Sequence, residues 1–529
     1  LKDRVLLFLL VLVSSTSLHA QNINSYTTGG TFTWTCPVGV TSVKIKCWGA
    51  GGAGGGVKTN GVHGGAGGAG GSFAENDHVA VSPGTTYTVT VGSGGAGAKS
   101  DGASGGDSWF KTATTVLAAG GAGGKADDGT PGLGSTSGCY GTILYKGGSG
   151  QDGYNYFGTG GGGAGTGGNG GDGSTSDFYG GAGTATGGGN GGDGVSSAGN
   201  GQNGSGAGGG GGGAYTTDKS NYKGGDGADG RVDIEYQCVT FGISGVNASD
   251  VCKGNPETVT LSGTAQNLPA GTYTVTYNLS GANTATGHTA TMTVSSPGSG
   301  TFSTTTLSYG GSTTITVTNL AAGSCSNAVT TGNSATWMVS SNLSGLTYHY
   351  TTSTYCAGTA ITANAVTNIS GNGTITYSVS PALPAGLTIN SATGTISGTP
   401  TSAASATSYT VTASNGCFTT TKSLTITVTA VPSGLAYTNP GPLTYCTAGI
   451  ANNTVASVTG SGTLTFTVSP SLPTGLLLNS GTGTITGTPL VTTAARNYTI
   501  TASNSCGSTS TVLNIATGVA PVITATISG

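Results

Sequence analysis

Apolar and polar residues alternate with a period of two in short runs along much of this chain. Val43, Ile45 and Cys47 interleave with Lys44 and Lys46, and Val232, Ile234 and Tyr236 interleave with Asp233 and Glu235. A period of two sends successive side chains to opposite faces, so residues 42–48 and 231–236 read as half-buried strands. Residues 31–35, 87–91 and 115–118 read as further short strands, and 271–277 and 312–318 as strands with Thr along the outward face.

The same pattern then occurs twice. Ser380 to Pro400 and Ser469 to Pro489 are nearly the same text, offset by 89 positions (469 − 380). Ile375, Tyr377 and Val379 recur as Leu464, Phe466 and Val468, and Tyr409, Val411 and Ala413 recur as Tyr498, Ile500 and Ala502. Short alternating strands between Gly and Pro turns, in units of about 90 residues, predict sandwiches of two antiparallel sheets. Neither copy contains a segment that reads as a helix. The expected fold class is all-β: a strand-framed glycine-rich domain followed by tandem Ig-like β-sandwiches. The expected boundaries are 1–20 for a signal peptide and 21–237 for the glycine-rich domain. A first Ig-like domain follows at 238–341, then repeats at 342–430 and 431–517, and the start of a further unit at 518–529.

Between residues 49 and 230 the period changes from two to three. Runs such as 64–71, 167–173 and 188–194 repeat as Gly-Gly-X, and Gly makes up 104 of the 529 residues. Three residues per turn is the repeat of an extended polyproline-type helix. Pro is scarce here and the register breaks, which argues against collagen. A packed bundle of short polyglycine II helices fits better, because Gly lets backbones approach closely enough to share hydrogen bonds. Flexible linker is the competing reading, but a linker has no need of strands at intervals through it.

Charge narrows the function. Charged residues are 6% of the chain and the formal net charge is −3, so the basic footprint of a nucleic-acid binder is missing. No Asp or Glu follows Glu257, and Lys422 and Arg496 are the basic residues beyond it. The N-terminus has Lys2 and Arg4, an apolar run over 5–13 and a small-residue site at Ala20, which reads as a secretory signal. No other stretch is long and apolar enough for a membrane helix. The expected location is secreted, extracellular or at the cell surface. Ten Cys fit an oxidising compartment. Within-unit pairs are expected at Cys252 with Cys325, Cys356 with Cys417 and Cys446 with Cys506. The last two close similar loops (417 − 356 = 61, 506 − 446 = 60), each worth about 4 kcal/mol on a chain-entropy account. The partners of Cys36, Cys47, Cys139 and Cys238 cannot be read from spacing.

Residues 383–400 resemble the signature of the putative Ig-like repeats (He-PIG type) of large bacterial surface proteins. Residues 32–52, with the glycine runs and the closing Gly230-Arg231-Val232-Asp233, resemble the glycine-rich domain of exported bacterial proteins and phage tail adhesins. The combination is similar to adhesin-like cargo of type IX secretion. This resemblance implies a non-enzymatic role in adhesion or extracellular assembly. Cadherin-like relatives of such repeats are stiffened by calcium on Asp and Glu between domains, and those ligands are missing after Glu257.

Candidate chemistry is sparse. Residues 188–196 fit a calcium-binding nonapeptide, but without the tandem copies that shared ligation requires. Residues 102–106 fit the G-x-S-x-G nucleophile elbow, without the helix that gives it meaning. No catalytic residue, metal ligand or cofactor is expected. The aromatic interruptions of the glycine runs remain, with Tyr154, Tyr156, Phe157, Phe178 and Tyr179 as candidate ligand contacts. Such rings can stack on sugars, or they can plug a bundle whose glycines supply no core. Expected partners are surface glycans or other extracellular protein copies. The alternatives are a subunit of an extracellular filament or sheath, and the non-catalytic part of a secreted polysaccharide-acting enzyme.

Overall fold

The computed structural model describes residues 22–58, 62–153, 158–217, 219–446 and 451–518, and the expected signal peptide lies outside them. The fold is all-β, with a glycine-rich head followed by Ig-like sandwiches in tandem. The head begins as a sandwich of two sheets. One holds Asn22–Tyr26, Arg231–Tyr236, Ser42–Trp48, Phe73–Ala80 and Ile143–Tyr145 in that order, and the other holds Gly30–Thr35, Thr86–Val91, Ser108–Phe110 and Val116–Ala118. The alternation seen in the sequence works as expected: Val43, Ile45 and Cys47 are buried, while Lys44 and Lys46 reach Glu75 and Glu235 at 2.5 Å.

The glycine runs continue these strands. Residues 49–57 extend Ser42–Trp48, and their nine consecutive N–H groups go to three neighbours in strict rotation. Gly49, Gly52 and Gly55 donate to Ser72, Ala69 and Ala66; Ala50, Ala53 and Gly56 donate to Gly106, Ala103 and Ser100. Gly51, Gly54 and Val57 donate to Ala228, Gly225 and Tyr222, all nine bonds being 2.7–3.0 Å long. This is a threefold helix of the polyglycine II kind, packed among others. Its carbonyls accept from Gly95, from Gly121 and Gly124, and from Gly211 and Ala214, so six segments surround it. The segment 64–72 is enclosed in the same way. The glycine runs are therefore a packed bundle and not a linker.

Such packing forbids side chains. A Cβ at Gly52 would overlap the carbonyl of Ala122, and one at Gly68 the carbonyl of Gly52. Methyl groups fit at one position per turn, where Ala50, Ala53, Ala66 and Ala69 are fully buried.

The head shares a continuous apolar core with the first Ig-like unit, from Trp34 and Tyr236 to Tyr273 and Trp337. Tyr236 and Ser324 share a hydrogen bond of 2.5 Å across the junction. Strands of this unit run from Gly245–Asn247 to Ser334–Ser340. Each later repeat has a four-stranded sheet: Thr352–Cys356, Thr419–Thr429, Ala404–Ser414 and Thr376–Ser380 in the first, Leu443–Cys446, Gly507–Gly518, Thr493–Asn504 and Thr465–Ser469 in the second. Inward Tyr409, Val411, Leu424 and Ile426 are buried, as are Tyr498, Ile500, Leu513 and Ile515. Residues 519–529, where the start of a further unit is expected, lie outside the described residues.

The cysteine pairing differs from the expectation. The bonds are Cys238–Cys325, Cys252–Cys417 and Cys356–Cys506, and Cys446 is unpaired. The expected pairs Cys252 with Cys325, Cys356 with Cys417 and Cys446 with Cys506 fail because the two cysteines of a unit lie at its opposite ends. Cys356 is in register with Thr429 at the end of the last strand, whereas Cys417 sits in the turn before Thr419, where that strand begins. Ten residues of strand span about 33 Å, and a disulfide needs Cα atoms within about 7 Å. The bonds instead staple the exit end of one unit to the hairpin of the next.

Candidate functional site

The bundle has two ends, and hydrogen-bond registers show which end each turn occupies. In antiparallel neighbours partner numbers fall as donor numbers rise, as from 49–57 to 64–72; in parallel neighbours they rise together. By this criterion 64–72 runs back toward the sandwich, and 146–153 lies antiparallel to it, through Gly67 to Gln151 and Gly70 to Gly148. Residues 168–174 run parallel to 146–153, through Gly170 to Lys146 and Gly173 to Ser149. Residues 187–194 follow the same direction, with Gly160 donating to Gly192 and Gly163 to Gly189.

The turns at 127–129, 174–179 and 195–198 therefore share one end of the bundle, the end farthest from the sandwich and the Ig-like units. Phe178 and Tyr179 belong to this tip, 38% and 69% exposed. Their turn is held by Ser174, whose N–H donates to the Tyr179 carbonyl and whose Oγ accepts from Asp177, and by Gly194, which donates to the Phe178 carbonyl. Tyr154, Tyr156 and Phe157 lie outside the described residues, but 146–153 and 158–165, on either side of them, run to and from the same end.

Two other aromatics of the head are packed into it. Tyr145 stacks on Phe73 at the base of the bundle, and Tyr215 is buried, bridging Gly64 and Gly199. These two plug the structure. Polar groups edge the tip: His63 Nδ1 lies 2.6 Å from Asp128 Oδ2, and Val62 beside it is 56% exposed. Asp101 accepts from the Ala126 N–H and, at 2.9 Å, from Lys125 Nζ; these two bonds, the backbone one first, hold its carboxyl below the usual carboxylate range.

The Asp and Asn of the Gly-Gly-X triplets have a structural task that the sequence did not reveal. At the bundle rim, where no further segment supplies a carbonyl, their side chains stand in for one. Asp193 Oδ1 accepts from Gly180 N–H at 2.8 Å, Asp172 from Ser149 at 2.7 Å and Asp226 from Gly97 at 2.7 Å. Asp229 accepts from both Gly94 and Gly29. Asn190, Asn200 and Asn203 cap Gly183, Lys223 and Asp226 in the same manner. Ser104, the nucleophile position of the elbow pattern, accepts from Gly123 at 3.4 Å. No group of three or more His, Cys, Asp or Glu that could hold a metal occurs among the described residues.

Capping and calcium binding make different predictions. Asp193→Ala leaves the Gly180 N–H without its acceptor and should cost about 1 kcal/mol, whereas Asp193→Asn retains the acceptor and should cost little. Millimolar calcium should leave the melting temperature of the intact chain unchanged. A calcium-dependent rise, abolished by Asp193→Asn, would reassign these carboxylates.

Residues 27–237 match the glycine-rich domain family, and residues 313–429 and 438–518 match the putative Ig domain family. The first Ig match begins inside the unit before the repeats, at Gly311–Ala322, the third strand from its end. No curated protein matches the chain. Similar solved structures include the I-band fragment I67–I69 of titin, with 13% identity over 52% of this chain and 97% of that one, at a TM-score of 0.32. Sidekick-1 immunoglobulin domains 1–4 align with 11% identity over 53% of this chain and 73% of that one, at 0.26. Drosophila N-cadherin EC1–4 aligns with 12% identity over 53% and 74%, at 0.21. No helix among the described residues is long and apolar enough to cross a membrane. The chain thus joins a segment similar to the glycine-rich domain family to units similar to the putative Ig domain family.

Proposed function

We propose that this is a non-enzymatic protein of the cell exterior that attaches to surface glycans through the tip of its glycine bundle, with the Ig-like units as spacer. The observation that carries the reading is topological. The exposed Phe178 and Tyr179 of the 174–179 turn fall at the bundle end opposite the Ig array. A rigid base of interlocked backbones holds them, so their rings meet a surface with little ordering cost. Disulfides between units and the near-absence of charge beyond Glu257, where Lys422 and Arg496 are the charged residues, suit a spacer that works outside the cell. Many weak contacts from several copies would then add to firm attachment.

The test is a glycan array probed with the intact chain and with a Phe178→Ala/Tyr179→Ala variant. The wild-type chain should bind a defined set of glycans, and the variant should lose at least tenfold in affinity with an unchanged melting curve. Unchanged binding by the variant would remove the tip assignment.

A further inference from the structure

Cys446 is the unpaired member of a series. In each Ig-like unit a short strand lies parallel to the last strand and ends in Cys. Cys252 is in register with Ser340, Cys356 with Thr429 and Cys446 with Gly518. The first two are bonded to the hairpin of the following unit, at Cys417 and Cys506. An Asn two residues before each hairpin Cys clamps the connection between the units. Asn415 Nδ2 donates to the carbonyls of Ser341 at 2.8 Å and Asn372 at 2.7 Å; Asn504 Nδ2 donates to those of Ala430 at 2.8 Å and Ser461 at 2.9 Å. Ser341 and Ala430 are the residues immediately after those last strands. Half of the same junction is present at the third unit: the parallel strand, its terminal Cys446, half-buried, and the last strand ending at Gly518.

We infer that Cys446 is the covalent docking site for one more Ig-like repeat of this kind, entering from position 519 and presenting an Asn-x-Cys hairpin. In sequence, Pro521 follows Gly518 at the interval at which Pro432 follows Thr429. A second copy of this chain is the poorer occupant, because its hairpin cysteines Cys417 and Cys506 are already bonded. The bond forms by exchange with a small-molecule disulfide. The Cys446 thiolate attacks one sulfur, releasing one small thiol. The incoming hairpin thiolate then attacks Cys446 in the mixed disulfide, releasing the second. Two protein thiols are oxidised, one small disulfide is reduced, and two protons appear with the released thiols. The inference concerns the spacer and stands apart from the glycan reading of the tip.

The experiment replaces residues 519–529 with a second copy of residues 430–518, and in a parallel chain with a copy of residues 341–429. Both are folded in a glutathione redox buffer beside the 529-residue chain, alkylated and mapped by non-reducing peptide mass spectrometry. Cys252–Cys417 and Cys356–Cys506 report folding of the host in each sample. The expected result is that Cys446 is bonded to the hairpin Cys of the added copy in at least one chain, with its alkylation at least tenfold below that in the 529-residue chain. Full alkylation of Cys446 in both extended chains while the two host bonds form would overturn the inference. So would a Cys446–Cys446 dimer as the main product.

Discussion

Gly52→Val should disrupt the head, with a loss of stability above about 3 kcal/mol, while Ala53→Gly beside it should cost only about 1–2 kcal/mol. The two positions differ in what faces them. Gly52 sits against the carbonyls of Gly121 and Ala122, so an added side chain would drive two backbones apart and break the bonds that join 49–57 to 119–126. Overpacked cores usually relax through side-chain rotation, at about 1–3 kcal/mol, but here the obstruction is backbone with nowhere to rotate. Ala53 occupies the one register that admits a methyl, so removing it forfeits a small apolar burial and adds the ordering cost of Gly. Thermal unfolding of the intact chain, with the head transition assigned by hydrogen exchange, measures both. Equal, small effects at the two positions would mean that the backbones are not in contact.

Under force, the oxidised chain should lengthen far less than its residue count allows. Between Cys252 and Cys506 lie 254 residues (506 − 252), which fully extended reach about 890 Å. With all three bonds in place, the shortest covalent route runs 14 residues back to Cys238 (252 − 238), across to Cys325, 31 residues on to Cys356 (356 − 325) and across to Cys506. Those 45 residues extend to about 160 Å. Single-molecule stretching with handles at the two ends should therefore show more than about 600 Å of further extension after reduction. No gain on reduction would show that the staples do not carry load. Because Cys252–Cys417 and Cys356–Cys506 join units rather than closing loops inside them, their reduction should lower the melting temperature of each sandwich much less than it softens the array.

Much of this was legible from local pattern. The runs 42–48 and 231–236 are strands with the bounds that alternation gives, and the 89-residue offset recurs in contacts such as Asn415 and Asn504. The period of three foretold the bundle, since only close backbone contact explains so much Gly without Pro. The cysteine partners were not legible. Near-equal spacings of 61 and 60 invite pairing within a unit, yet they arise because every unit carries one exit cysteine and one hairpin cysteine for different neighbours. The tip was equally hidden, because the direction of each glycine segment depends on long-range hydrogen bonds and not on its own residues. The Gly-Gly-Asp triplets that resemble calcium loops are the same pattern serving as rim caps, and only the N–H groups they meet tell the two apart.

The glycine runs form a rigid, hydrogen-bonded bundle that holds the tip. Hydrogen exchange on the intact chain tests it most directly at residues 49–57 and 64–72, with Ser42–Trp48 as the internal standard. Amide protection in both glycine segments should be comparable to that strand, since their N–H groups donate to neighbouring backbones and, at Gly64, to the Asp128 carboxylate. Exchange at unstructured rates in 49–57 and 64–72, with Ser42–Trp48 still protected, would contradict it.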